Sequence, residues 1–221
     1  MSFASRLLKF YRELRPPQDL PAGIQWLFPQ QNPQVIKVVE AFLKKFYNDN
    51  RPRRLILGIN PGRFGAGTTG INFTAPKQLT ELGIPHPFPP NQTELSAEFI
   101  YQAIRACGGP EIFYSRYFIS AVCPLGFTRG GTNLNYYDDP QLLRALTPFI
   151  TGSIRAQMKM GFLIDHCFCI GGGKNLKFLS LLNEKNKFFQ AITPLAHPRF
   201  IMQYRRKQLA DYIRLYSDAL A

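Results

Sequence analysis

The sequence predicts an α/β protein, a three-layer α/β/α sandwich with a mainly parallel, four-stranded central sheet. Three observations predict it. Apolar runs of strand length at 54–59, 113–122, 162–170 and 190–195 alternate with longer stretches whose apolar residues recur at helical spacing, the order that lays helices over both faces of a parallel sheet. The run Leu55, Ile56, Leu57 and Ile59, broken only by Gly58, is apolar at successive positions and suits a strand buried on both sides. Glycine and proline gather directly after the apolar runs, at 61–70, 124–126 and 171–173, where turns must begin. A chain of 221 residues buries one substantial core and does not require two, so a single domain over 1–221 is expected.

Taken in order, Phe3, Leu7, Leu8, Tyr11 and Leu14 form a helical stripe over 3–15 that Pro16-Pro17 halts. A proline-rich passage with the only tryptophan, Trp26, leads to a second helix over 34–48, with Val35, Val38, Val39, Phe42, Leu43 and Phe46 inward. The strand at 54–59 comes next. Its first polar side chain, Asn60, stands just past the carboxyl end, where open α/β sheets bind ligands. Pro61 and the glycines at 62, 65, 67 and 70 then let the backbone fold back and approach a ligand closely, or form a plain surface loop.

From Ala75 to Asn91 the density of proline excludes regular structure, and a loop of that size is functional or mobile. A helix over 94–107 follows, with Phe99, Ile100, Ala103 and Ile104 inward, and the strand at 113–122 runs into Cys123-Pro124-Leu125. Gly126 to Pro140 reads as a polar, glycine-rich loop at the same end of the sheet. Asp138 or Asp139 caps the next helix, 140–160, with proline just inside its start. The strand at 162–170 enters Gly171-Gly172-Gly173-Lys174-Asn175 and a helix to 185; such a turn suits either a bound phosphate or simply a tight connection. The last strand, 190–195, leads to a helix over 203–219 that begins at Arg205-Arg206-Lys207.

The 27 Lys and Arg outweigh 14 Asp and Glu, for a net charge of +13. A surface of that sign attracts polyanions, nucleic acid first among them, although a basic protein can also be merely soluble. The amino-terminal residues lack the long apolar core of a signal peptide, and no run approaches the ~20 apolar residues of a membrane span. The expectation is a cytoplasmic protein, monomeric and without a membrane partner. Cysteines 107, 123, 167 and 169 lack paired C-x-x-C spacing, so free buried thiols are expected in place of a metal site. The glycines after Asn60 match neither a phosphate-binding Walker loop, which needs Lys and Ser/Thr after its last glycine, nor a dinucleotide fingerprint.

The run Gly58-Ile59-Asn60-Pro61-Gly62-Arg63-Phe64-Gly65, followed by Thr69-Gly70-Ile71-Asn72-Phe73, resembles the first active-site motif of the uracil-DNA glycosylase superfamily. It is most similar to the single-strand-selective monofunctional branch, whose run is Gly-Met-Asn-Pro-Gly-Pro-Phe-Gly followed by Thr-Gly-Val-Pro-Phe. Cys123-Pro124-Leu125 and His197-Pro198 match two further motifs in the family's order. The resemblance implies the α/β/α fold, DNA containing a damaged or deaminated base as partner, and hydrolysis of the N-glycosidic bond without metal or organic cofactor. An abasic site is the implied product, since no lysine is placed as a Schiff-base nucleophile.

In that resemblance Asn60 holds the attacking water, and His197 donates to the uracil O2 where charge builds up. Phe73 stacks on the extruded base, or is an ordinary core phenylalanine. Gly58, Ile59 and Gly62 bring backbone to the base, and Gly62, standing where relatives that exclude thymine carry a tyrosine, leaves room for 5-substituted uracils. Two departures follow. The family's base-reading asparagine is replaced by Ala121, so recognition falls to backbone groups or to Ser120, Asn133 or Asn135. After His197-Pro198 the family's Ser-Pro-Arg is replaced by Arg199-Phe200-Ile201; Arg199, Phe200 and Met202 are types able to wedge into a base stack, or to pack inward as a helix-leading loop. Arg63, Lys174, Arg199, Phe200 and Arg205 are the candidate DNA contacts. A non-catalytic nucleic-acid-binding protein and a hydrolase of free nucleosides are the competing readings.

Overall fold

The computed structural model describes residues 1–17 and 19–221. Four parallel strands, β2 (Arg54–Gly58), β3 (Tyr117–Ala121), β6 (His166–Ile170) and β7 (Ala191–Leu195), form the central sheet in the order β3-β2-β6-β7. Helices surround it: α1 (Phe3–Glu13), α2 (Pro33–Tyr47), α5 (Leu95–Ala106), α6 (Pro110–Arg116), α7 (Pro140–Met158), α8 (Lys174–Asn186), α9 (Pro198–Tyr204) and α10 (Leu209–Ala219). β2 lies inside the sheet, with Leu55 between Phe118 and Cys167 and Leu57 between Ser120 and Cys169. Leu55, Ile56 and Leu57 are all buried, the two-sided burial that their unbroken apolar run required. The ladder to β3 continues past the strand, because Val122 and Cys123 donate to the Gly58 and Ile59 carbonyls at 2.9 and 3.1 Å.

Several elements differ from the sequence reading. Only 117–121 of the 113–122 run is strand. Pro110 at the first helical position and Gly109 at φ 93° start α6 instead, and Phe113 and Tyr114 are buried from a helix. Of 162–170, only His166–Ile170 is strand; Phe162 is apolar because its ring packs edge-on against Phe3 at 4.8 Å. The proline-rich 75–91 stretch contains a short helix, α4 (Pro76–Glu81), with proline again at its start. The glycine turn after β2 holds one helical turn, α3 (Ala66–Thr69). The final helix is two, α9 and α10, separated by a 3-10 turn at Arg206–Gln208. Cys123, Cys167 and Cys169 are free and buried, whereas free Cys107 is half-buried.

A second sheet was not foreseen. β1 (Ile24–Leu27), β4 (Gly126–Arg129) and β5 (Thr132–Leu134) pair antiparallel in the order β1-β4-β5. Trp26 sits across from Phe127, ring centroids 5.1 Å apart. The 126–140 loop is thus a hairpin, ending where Asp139, not Asp138, caps α7 by accepting the N–H groups of Gln141 and Leu142 at 2.8 and 3.1 Å.

The support beneath β2 is a buried cation. Arg53 is fully buried between the rings of Phe3 and Tyr47, at 5.2 and 4.8 Å. It donates to the Tyr114 carbonyl at 2.7 Å, the Phe46 carbonyl at 3.1 Å and the Asp49 carboxylate at 2.8 and 3.1 Å. The guanidinium holds the Asp49 carboxyl well below the usual carboxylate range. Without the guanidinium the buried Tyr114 and Phe46 carbonyls lose their donor, at about 1–3 kcal/mol each, while the partly exposed Asp49 stays solvated. Arg53→Met is therefore expected to lower the denaturation midpoint by that equivalent, and Arg53→Lys to recover little, since an ammonium cannot reproduce the planar fork.

Candidate active site

The carboxyl ends of the central strands and the β4–β5 hairpin enclose a cleft of about 1150 Å³. Its chemistry starts at the end of β2. Gly126 and Gly67 hold the turn there: a Cβ on either would lie 2.3 Å from the Pro61 carbonyl or 2.6 Å from the Gly62 carbonyl. These are contacts no side chain can share, so the turn is set by close backbone approach.

Asn60 is half-buried and held at both ends of its amide. Its Nδ2 donates to the Leu134 carbonyl at 3.2 Å and the Pro61 carbonyl at 3.3 Å, and its Oδ1 accepts the Tyr136 N–H at 3.0 Å. Gly58 faces Phe73, and a Cβ there would meet the Phe73 ring at 2.9 Å. Phe73 itself holds φ at 52°, in the left-handed region, where a bulky side chain costs about 1–3 kcal/mol and persists because its surroundings demand it. The ring borders the cleft, half-buried, 6.1 Å from the His197 ring.

His197 caps α9: its Nδ1 accepts the Arg199 N–H at 3.1 Å. An accepting Nδ1 carries no proton, so the neutral ring bears its hydrogen on Nε2. Burial, with a smaller effect from the Arg199 charge, lowers its pKa to about 4. Because the unfolded chain takes up this proton more readily, the fold loses stability as pH falls from 6.5 towards about 4, and that loss is complete below the folded value. Two outcomes are expected: the His197 resonances titrate near pH 4 by NMR, and the pH–rate profile shows no step from this group between about pH 5 and 8.

Gly62 and Asn133 face each other across the cleft mouth. The Asn133 Oδ1 accepts the Arg63 N–H at 3.1 Å, and its Nδ2 lies 3.3 Å from where a Gly62 side chain would begin. Ile59, Asn135 and Ala121 also border the cleft, whereas Ser120 is buried within β3 and does not. Of the candidate DNA contacts, Arg63, Lys174, Arg199 and Phe200 line the cleft; Arg205 lies outside it, its guanidinium over the Phe200 ring at 5.4 Å. Phe200 and Tyr204 are exposed side by side, centroids 5.8 Å apart, and Phe64 is exposed beneath Arg63 at 4.8 Å. Met202 is buried and packs inward, which removes it from the residues able to wedge.

Two residues of the site had no role assigned from the sequence, Tyr136 and Asn175, the latter standing at the end of the glycine turn after β6. The Tyr136 hydroxyl donates to Asn175 Oδ1 at 2.7 Å, and Asn175 Nδ2 donates to the Ile170 carbonyl at 3.0 Å and, more loosely, to Gly58 at 3.4 Å. Among the described residues, no group of three or more His, Cys, Asp or Glu is arranged to hold a metal ion, and no helix is long and apolar enough to cross a membrane.

The chain is similar to known proteins in sequence and in fold. The single-strand selective monofunctional uracil-DNA glycosylase of Rattus norvegicus is 34% identical over 104 residues, 39% of this chain. The matched stretch spans 37% of the rat protein's length. The crystal structure of wild-type Pedobacter heparinus SMUG2 superposes with a TM-score of 0.94 at 47% identity, covering 99% of this chain and 97% of that one. The uracil DNA glycosylase superfamily matches residues 44–221, which take in β2, the Asn60 turn, the hairpin and the His197 helix. The chain belongs to the uracil DNA glycosylase superfamily.

Proposed function

We propose that the protein is a monofunctional DNA glycosylase that hydrolyses the N-glycosidic bond of uracil, and of related deaminated or 5-substituted bases, in base excision repair. The observation that carries this reading is the shared cleft of Asn60, Phe73 and a neutral His197 whose free hydrogen is on Nε2. The nucleotide is extruded from the stack and its base lies on Phe73. As the C1′–N1 bond breaks, its electron pair leaves with the base, and the charge that gathers on O2 meets the His197 N–H. A water oxygen held at Asn60 bonds to C1′, and its proton is released to solvent or to the departing base. An amide has no titratable group in this range, so the reaction leans on stabilising the leaving group, where one preorganised donor is worth about 3–4 kcal/mol. The exposed cations and aromatics at the rim fit a single strand or an opened duplex.

Alkali-labile strand breaks in oligonucleotides carrying one uracil, 5-hydroxymethyluracil or xanthine test the reading. Breaks at the modified base in DNA, with no release of uracil from free deoxyuridine, are expected; binding without breaks would leave only a nucleic-acid-binding protein. Gly62→Tyr is expected to retain uracil excision and lose the 5-substituted base by about 10-fold or more, the discrimination a steric contact can supply. Equal loss on both bases would place Gly62 away from the base's C5 edge.

A further inference from the structure

We infer that Tyr136 is a positioning residue for Asn60, and that the backbone on either side of it makes this site fit for an amide and unfit for a carboxylate. The inference rests on the glycosylase reading. An amide has two distinguishable ends, and here each meets a group that admits only one of them. The Tyr136 N–H can only donate, so Oδ1 faces it at 3.0 Å; the Leu134 and Pro61 carbonyls can only accept, so Nδ2 faces them at 3.2 and 3.3 Å. Both Nδ2 hydrogens are directed at carbonyls. What Asn60 offers a water is the second lone pair of Oδ1. A water donating to that oxygen keeps its own lone pairs free for C1′.

The clamp is held from behind. Tyr136 is fully buried, with its ring beside Tyr137 and Phe178, and its hydroxyl donates to Asn175 at 2.7 Å. Asn175, also buried, ties the ends of β6 and β2 through the Ile170 and Gly58 carbonyls. Gly58 is two residues from Asn60, so the ring of contacts closes: strand end, Asn175, Tyr136 side chain, Tyr136 backbone, Asn60. Removing the hydroxyl leaves the Asn175 oxygen buried without its donor and frees the 134–136 segment to shift. Misplacement of a reacting group by about 1 Å can cost as much as 10²-fold in rate.

A carboxylate at position 60 would set an unprotonated oxygen against the Leu134 carbonyl at the 3.2 Å now spanned by the amide. Only the protonated acid can donate there, so the site favours the neutral form of an aspartate. The pH dependence then runs opposite to that of a general base.

Single-turnover excision of uracil and DNA affinity are measured for wild type, Tyr136→Phe, Asn60→Ala and the double variant, with thermal midpoints to establish folding. Tyr136→Phe is expected to lower the rate about 10-fold, within the range set by one lost buried hydrogen bond, with affinity unchanged, and to have no further effect in the Asn60→Ala background. The same fractional loss in both backgrounds, or no loss in wild type, would overturn the positioning role. Asn60→Asp supplies the second arm. It is expected to be slower than wild type at pH 8 and to gain rate as pH falls towards 5.5; a rate that climbs with pH to the wild-type value would contradict selection for an amide. If wild type removes neither uracil, 5-hydroxymethyluracil nor xanthine, the glycosylase reading falls; if it removes one of them and Tyr136→Phe matches it, only the positioning role falls.

Discussion

His197→Ala is expected to lower the single-turnover rate of uracil excision by about 10²–10³-fold, the range measured when one preorganised donor to developing charge is removed. The size of the effect follows from how the imidazole is prepared. Its Nδ1 is occupied by the Arg199 N–H and burial keeps the ring neutral, so Nε2–H stands ready without a proton being taken up first. The ring is also the cap of α9. Loss of a cap costs about 1 kcal/mol of stability, and His197→Asn, which retains a capping oxygen, separates the two roles. The asparagine variant is expected to recover the thermal midpoint and to remain slow. Recovery of rate together with stability would move His197 from the chemistry to the scaffold.

Asn60→Ala is expected to reduce the same rate by about 10²-fold or more, because the side chain that places the water is removed, while DNA affinity changes by less than about twofold. The amide touches the hairpin only through backbone groups of Leu134 and Tyr136 and its neighbour Pro61. Truncation leaves the Leu134 and Pro61 carbonyls at the wall of a solvated cleft and only the Tyr136 N–H without its acceptor, a loss of about 1–3 kcal/mol, so the fold is expected to survive. Equal losses of rate and affinity would indicate that the residue shapes the turn and does not serve the reaction.

The parts of this site that could be read from the sequence are those written in consecutive residues. Strand β2 and the Asn60 turn are one local signal, an apolar run followed by proline and glycine, and the same holds for His197-Pro198 at the start of α9. Helices α1, α2 and α5 were legible because their apolar stripes are long, and α7 because an aspartate and Pro140 mark its start; the caps Ser2, Asn32 and Glu94 emerge only in the structure. What could not be read is what depends on pairing across the chain. β1 is four residues long and β5 three, too short for a period of their own, and β1 finds its partner only at Gly126–Arg129. α6 was hidden because Phe113 and Tyr114 are buried side by side in a helix of seven residues, too short to display a helical period. The roles of Tyr136 and Asn175 could not be read: their meaning lies in a hydrogen bond between residues 39 positions apart. Ser120 looked available from its place beside Ala121, but the alternation of a strand turns it into the sheet's buried surroundings. Asn133 and Asn135 reach the cleft from the hairpin, whose direction no local pattern gives.

The most direct test is the mass of a uracil-containing oligonucleotide after incubation with the wild-type protein, taken before any alkali treatment and compared with the Asn60→Ala variant. The expected product is a strand of unbroken length that has lost uracil and gained a hydroxyl at C1′, formed far more slowly by the variant, with free uracil in equal amount. An unchanged mass would contradict uracil-DNA glycosylase activity. A strand cut by β-elimination, or loss of uracil at the same rate with Asn60→Ala, would contradict the monofunctional hydrolysis assigned to this cleft.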